Sequence, residues 1–330
     1  MKVWIVHEAG GPFVAVERPL PTLESGQVLI RVKASGVNPL DTKIRGGNAV
    51  HARHPFPATM GIDVAGTIES VGEDVKQFKV GDEVYGMTGG VAGLQGSLAQ
   101  FQAADAALVA RKPSNLTMTE AAALPLAAIT AWEGLVDRAQ VSAGQSVLIH
   151  GGAGGVGHLA IQIAVAFGAQ VHTTVSPHKA SIIERYGAIP IDYLTMAPEE
   201  YMPLSPNGKG WDIVYDTVGG STLDASFKLV KKYTGHALSC LGWGTHSLAP
   251  LSFRGGTYSG VFTLLPLLTG EGRRHHGEIL ERLCELVEAG RVRPLLAEKV
   301  FEDSEIDSAH NAVARGSLGK SSYASPLDRW

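Results

Sequence analysis

The chain has 330 residues, 28 basic against 32 acidic, for a net charge of −4. That length allows two domains with separate cores, and the near-balance of charge leaves no electrostatic case for nucleic acid or an anionic membrane as partner. Two isolated cysteines, Cys240 and Cys284, exclude a disulfide framework and a cysteine-rich zinc lobe; no apolar run nears the roughly 18–20 residues of a bilayer span, and Met1 to Ile5 read as strand rather than signal peptide, so a cytoplasmic protein is expected.

The first part reads as β-rich. Strands are predicted at Lys2–His7, Gln27–Ala34, Met60–Val71 and Glu83–Met87, separated by turn signals such as Gly10-Gly11-Pro12 and Gly81-Asp82. Val28, Ile30 and Val32 alternate with Leu29, Arg31 and Lys33, the pattern of a partly buried strand. Gly89–Gly96 is glycine-rich and reads as an exposed loop.

The pattern changes near Leu116. Thr117 or Thr119 can cap an apolar helix over Glu120–Arg138, and Pro125 inside it should kink or split it. Then comes Val147-Leu148-Ile149-His150, a short apolar run that suits a buried parallel strand. It leads into Gly151-Gly152-Ala153-Gly154-Gly155-Val156-Gly157. Gly152, Gly154 and Gly157 have the spacing G-x-G-x-x-G. These glycines permit a tight turn, a close approach of backbone to a pyrophosphate, and close packing of the next helix. That helix, Val156–Phe167, would direct its N–H groups and positive dipole end at the phosphates.

The following strand, Gln170–Val175, bears on which dinucleotide is held. An NAD site places an acid about 20 residues after the glycines, to grip the ribose 2′-OH. Here Ser176 stands nineteen positions past Gly157, followed by His178 and Lys179. A hydroxyl and a cation suit a 2′-phosphate, which a carboxylate would repel. NADPH is the expected cofactor.

Strands and helices then alternate. Strands are predicted at Ile189–Ile191, Trp211–Thr217 and His236–Leu241, and helices at His178–Tyr186 and Ser221–Leu229. This implies an α/β fold with a doubly wound parallel Rossmann sheet inserted into a β-rich domain. The β-rich domain spans 1–120 and is completed by 265–330, with the dinucleotide domain at 121–264. Arg273-Arg274-His275-His276 reads as a solvated basic turn, and Glu278–Glu288 and Ser304–Arg315 as helices. A cleft between domains is where substrate would lie.

The chain resembles the medium-chain dehydrogenase/reductase superfamily, and within it the zinc-independent quinone oxidoreductases of the zeta-crystallin-like branch. The resemblance covers nearly the whole chain. It rests on Ala34 to Asp41, Gly61 to Gly66, Val80 to Val84, Ala121 to Pro125, Gly151 to Gly157 and Asp212 to Gly219. It implies a GroES-like β-rich domain and a homodimer. Zinc-dependent members carry Cys-His where this chain has Val37-Asn38-Pro39, and His-Glu in place of Ile62-Asp63, so no metal site is expected. Without a Lewis acid, a quinone or α,β-unsaturated carbonyl is the better hydride acceptor, because conjugation spreads the developing charge.

The resemblance also implies roles for single residues. Asn38, Asp41 and Thr130 form the catalytic group; Asn38 lies near the nicotinamide or substrate, and Asp41 orders its loop rather than transferring a proton. Tyr193 joins Ser176 and Lys179 beside the 2′-phosphate. Cys240, Leu241, Gly242, Phe262 and Thr263 meet the nicotinamide half, and Lys320 completes the cofactor set. Relatives carry a substrate-facing tyrosine between Asn38 and Gly61, where this chain offers Asn48, His51 and His54. The residues after Lys320 are poor strand sequence and should be irregular. Trp243 and His246 stand in an unusual Gly-Trp-Gly loop, where the indole either stacks on a flat substrate or closes a domain interface. Two further readings stand beside reduction of quinones and enones: an enoyl-thioester reductase, and a non-catalytic, crystallin-like NADPH-binding protein.

Overall fold

The structure is a computed structural model that describes residues 1–316 and 321–324. The chain forms two compact units. Unit 1 takes three stretches, Met1–Ile129, Leu264–Ala289 and Pro294–Trp330; unit 2 takes Thr130–Thr263 and Gly290–Arg293.

Unit 1 begins with β1 (Lys2–Val6), β2 (Phe13–Glu17), β3 (Gln27–Val37), α1 (Pro39–Arg45), β4 (Ala58–Thr59), β5 (Asp63–Val71), β6 (Glu83–Met87), β7 (Phe101–Asp105) and β8 (Val109–Arg111). One sheet has the order β2-β1-β4, and β3, β5, β6 and β8 are neighbours in a larger one, with β7 also on β3. On β3 the expected alternation holds at its centre: Val28, Ile30 and Val32 face a core with Val64, Ile68, Val84 and Val109. Burying each such side chain contributes about 1.5–3 kcal/mol. Outward-facing Arg31 forms a two-point ion pair with Glu69 and lies over the Phe101 ring.

The glycine-rich segment 89–96 departs from the expected exposed loop. Gly89, Gly90, Val91 and Gly96 are buried, and only Gly93 is exposed. Glycine serves close approach here rather than turning in solvent. A Cβ at Gly89 would lie 1.8 Å from the Gln95 carbonyl oxygen, and one at Gly96 would lie 2.1 Å from that of Met60.

The long apolar helix is indeed broken at Pro125. The first piece, α2 (Met118–Ala122), starts on a reciprocal cap: Glu120 N donates to Thr117 Oγ1, and Thr117 N to the Glu120 carboxylate. The second, α3 (Pro125–Trp132), begins with Pro125, whose missing N–H costs nothing there. A π-helical turn, Glu133–Arg138, follows in unit 2. The Tyr215 hydroxyl donates to the Thr130 carbonyl at 2.7 Å as the helix widens, an insertion of the kind that opens helical turns.

Unit 2 continues with β9 (Ser146–His150), α4 (Gly157–Ala166), β10 (Gln170–Val175), α5 (Ala180–Arg185), β11 (Ala188–Asp192), β12 (Ile213–Asp216), α6 (Ser221–Leu229), β13 (His236–Ser239), α7 (Ala249–Ser252) and β14 (Thr257–Gly260). The six strands are parallel in the order β11-β10-β9-β12-β13-β14. Counted from β9 this is 3-2-1-4-5-6, the Rossmann order, with its switch point between β9 and β12. Leu148, Val214, Phe227, Trp211 and Tyr201 share the core on one face.

The chain returns to unit 1 with α8 (Leu265–Thr269), α9 (Arg273–Glu288), α10 (Ile306–Ala314) and β15 (Ser321–Ala324). The basic quartet is not a solvated turn. It opens α9, with His276 fully buried and Arg274 paired to Glu278. Gly277 permits the contact, since a Cβ there would lie 2.6 Å from the Ala107 carbonyl oxygen. Residues 321–324 are likewise not irregular: β15 pairs antiparallel with β3, Ser321 opposite Val37. Main-chain bonding along an available strand needs no apolar run in the segment it recruits.

Where α10 meets α1, the His310 ring meets Phe13 at a tilt of 60° with centroids 4.8 Å apart, and Arg45 lies over the same Phe13 ring while pairing with Asp307. Burial, with a smaller contribution from the Arg45 charge, pushes the His310 imidazole from 6.5 down to about 3. The folded chain therefore holds this histidine neutral while the unfolded chain protonates it. Its stabilising contribution is complete above pH 6.5 and is lost as pH falls toward 3, by at most about 1.4 kcal/mol per pH unit. Urea unfolding of His310→Leu should show a shallower loss between pH 7 and 5 than the parent; parallel losses in the two proteins would refute the assignment.

Candidate functional site

The carboxyl end of the unit 2 sheet carries the glycine turn. Gly151 has φ +79°, and its N–H donates to Thr174 Oγ1 on β10, while Gly152 N donates to the Thr174 carbonyl. Thr217 Oγ1 donates to the His150 carbonyl at 2.6 Å, joining β12 to β9 at the switch point. A Cβ at Gly152 would fall 2.2 Å from Thr173 Oγ1, and one at Gly157 would fall 2.2 Å from the Gly151 carbonyl oxygen. Gly152 and Gly157 are thus sunk against the sheet. Ala153, Gly154, Gly155 and Val156 between them remain accessible at the start of α4. The close packing at Gly152 and Gly157 leaves accessible main chain between them at a helix start, which fits a dinucleotide pyrophosphate.

Ser176 is buried just past β10, and its carbonyl accepts from Lys179 N in a single 3₁₀ turn. Lys179 is half-buried, and its ammonium has no hydrogen bond or ion pair among the described residues. Tyr193 is exposed beyond β11, next to Asp192, whose carboxylate accepts from Leu194 N and Thr195 Oγ1. Glu184, the acid nearest to Ser176 in sequence, is exposed on α5. A lysine with no ion pair among the described residues, three positions past a buried serine, suits a phosphate.

Asp216, fully buried at the end of β12, accepts from Val218 N, Gly219 N and Ser239 Oγ. It shapes the turn beside the glycine loop. His150 sits opposite it on β9, and burial lowers its imidazole to about 4 against the opposing pull of Asp216. Cys240 follows β13, where burial pushes the thiol up to about 12, so it is present as the neutral thiol. Leu241 N donates to Ser239 Oγ, and Gly242 follows.

Thr130 and Thr263, far apart in sequence, come together with Oγ atoms 3.0 Å apart, and Thr263 Oγ1 donates to Glu133 Oε2 at 2.9 Å. Glu133 was missed by sequence reasoning. An acid at the end of an apolar helix looks like a surface charge; here it stands three residues after Thr130, on the same helix face, where Thr263 meets both. Phe262, next to Thr263, meets the Trp243 ring edge to face at 5.9 Å. Lys320 lies outside the described residues.

In unit 1, Asn38, Asp41 and Asp63 are all fully buried. Asp41 accepts from Asn38 N at 2.8 Å and from Ile62 N at 3.2 Å. Asn38 Nδ2 donates to Asp63 Oδ2 at 2.9 Å, and the other Asp63 oxygen accepts from Leu126 N. The turn after β3 is therefore built around two carboxylates that orient one amide. His54 accepts from Gly93 N at Nδ1 and faces the Thr59 carbonyl with Nε2, a neutral ring with its proton on Nε2. Among the described residues, no three His, Cys, Asp or Glu side chains are grouped so as to hold a metal ion. No helix among them is long and apolar enough to cross a membrane.

Residues 24–114 match the family described as alcohol dehydrogenase GroES-like domain, and residues 191–320 the one described as zinc-binding dehydrogenase. The chain is 39% identical over 309 residues to a 2-methylene-furan-3-one reductase of Solanum lycopersicum, covering 91% of this chain and 72% of the relative. It is 36% identical to a chloroplastic NADPH-dependent alkenal/one oxidoreductase of Arabidopsis thaliana, with the same coverage of 91% and 72%. A crystal structure of an alcohol dehydrogenase superfamily protein from Novosphingobium aromaticivorans superposes with TM-score 0.96 at 53% identity, covering 98% of this chain and 99% of that one.

Proposed function

Since the chain belongs to the medium-chain dehydrogenase/reductase superfamily, among its NADPH-using quinone and enone oxidoreductases, we propose that it reduces a quinone or the double bond of an α,β-unsaturated carbonyl without a metal ion. The observation that carries this reading is the amide of Asn38, held by Asp63 where zinc-dependent relatives carry ligands. An oriented N–H donor stabilises charge on an enolate oxygen, which conjugation has already dispersed. It is a poor substitute for a Lewis acid on a simple alkoxide.

In this reading NADPH, when bound, supplies the hydride for the β-carbon of the enone or for the quinone, and the reduction is completed by a proton from solvent. Gly151 to Gly157 hold the pyrophosphate, and Ser176, Lys179 and Tyr193 the 2′-phosphate. Thr130, Thr263, Phe262, Cys240, Leu241 and Gly242 receive the nicotinamide half. Asn38 is the donor to the acceptor's oxygen. Asp41 is a positioning residue, because its carboxylate fixes the turn that carries Asn38. Cys240, as a neutral thiol, takes no nucleophilic part.

The test is a panel of acceptors followed at the NADPH absorbance band. Benzoquinones and short enones should be reduced, and ethanol or propan-2-ol with NADP⁺ should give no turnover. Elemental analysis should find no stoichiometric zinc, and a chelator should leave the rate unchanged. A plain alcohol as the best substrate, or zinc at one equivalent with activity lost on chelation, would overturn the proposal.

A further inference from the structure

The loop after β13 carries two side chains that the reduction itself does not use. Trp243 is 53% exposed, between Gly242 and Gly244, and Gly244 has φ +106°. Its ring stands edge to face with Phe262, at 89°. His246 ties this loop down. Its Nδ1 lies 2.9 Å from Asp224 Oδ1 on α6, and its Nε2 lies 3.2 Å from the Trp243 carbonyl oxygen.

Both of those partners are acceptors. A neutral imidazole has one N–H and satisfies one of them; the imidazolium satisfies both. The Asp224 hydrogen bond accordingly raises the pKa of His246, with further support from the Trp243 carbonyl and the charge of Asp216 at the end of β12. Asp224 and Asp216 are the charged groups that act on the ring, and both favour its cation.

The loop follows the carboxyl end of β13, one strand from the switch point between β9 and β12, at the end of the sheet where open α/β folds take their ligands. Phe262 adjoins Thr263, already bonded to Glu133, which anchors one ring of the aromatic pair. Val218, just after β12, is also exposed at 53%.

We propose that Trp243 is a specificity-determining residue, a stacking surface for the planar ring of the acceptor, held in position by the His246–Asp224 latch. The preferred substrates are then ring-bearing acceptors, such as naphthoquinones and aryl enones, over short acyclic enones. A flat π-face gains from an indole partner, and an acyclic chain gains little. This inference rests on the reading that the protein reduces conjugated acceptors.

The experiment compares 4-phenylbut-3-en-2-one with but-3-en-2-one in the parent, Trp243→Ala, Trp243→Phe and His246→Gln. Trp243→Ala should raise KM for the aryl enone about tenfold and change that for the acyclic enone by less than about twofold. Trp243→Phe should restore most of the difference, and His246→Gln should fall between. In the parent, KM for the aryl enone should rise as pH rises through the pKa of His246, and in His246→Gln that dependence should flatten. Calorimetric binding of the aryl enone to the NADP⁺-loaded protein should weaken by the same factor as KM, a readout independent of turnover. Equal effects on both enones, or none on either, would overturn the Trp243 assignment while leaving enone reduction intact. A parent that reduces neither enone and no quinone would sink both.

Discussion

Asn38→Ala should slow reduction of a conjugated acceptor by up to roughly 10²-fold in kcat, the loss seen when one preorganised donor to a developing oxyanion is removed. The arrangement explains why a single amide can matter so much. Asp63 fixes its direction from one side, and Asp41 fixes the turn beneath it, so the amide is oriented before charge develops. The substitution also leaves a buried Asp63 oxygen short of a donor, which should destabilise unit 1 by about 1–3 kcal/mol. The two effects separate experimentally: kcat is measured well below the melting transition, and KM for NADPH should stay near the parent value. Asp63→Asn should mimic much of the kinetic loss, because an amide opposite Asn38 offers a donor where an acceptor was. Full kcat in Asn38→Ala on every active substrate would show that the amide only builds the turn.

The second large effect is expected at Lys179. Lys179→Ala should raise KM for NADPH roughly tenfold or more, since a charge-assisted contact is worth about 1.5–3 kcal/mol, with little change for NADH. Lys179 is suited to this because its side chain is half-buried and its ammonium meets no carboxylate among the described residues. Ser176 beside it is buried, so a hydroxyl is held within the same short turn. Equal kinetic constants for NADPH and NADH in the parent would defeat this assignment.

The parts of the fold legible in the sequence were those whose residue types admit one physical reading. The β9–turn–α4 unit is such a case: an apolar strand, glycines at fixed spacing and an apolar helix have little else to form. Pro125 is another, because a missing N–H must break a helix or begin one. Elements defined by their neighbours were not legible. In β14, Thr257-Tyr258-Ser259-Gly260 carries no apolar run; it is a strand because β13 offers it a parallel edge. The glycines of 89–96 look the same in sequence whether they turn in water or pack under a carbonyl. His276 looks like part of a basic loop until Gly277 brings α9 against Ala107. At the candidate site, the turn after β3 could be marked from Asn38-Pro39, but not its dependence on Asp63, twenty-five residues on. Glu133 depends on the approach of Thr263, 130 residues on, which nothing in the local sequence specifies.

The three-part composition of unit 1 bears on the order of events during synthesis. Nearly all of unit 2 leaves the ribosome as one continuous stretch and can bury its sheet at once. Unit 1 waits. The strand whose end leads into Asn38 is made early, yet it meets Ser321 only after the other unit has emerged. Through that interval β3 has β5 and β7 beside it, but residues 34–37 lack a partner on the side that β15 will cover, a period when nascent chains are open to misassembly. A translational pause after residue 263 would therefore find a chain able to fold its glycine turn and parallel sheet while unit 1 still lacks its last strand.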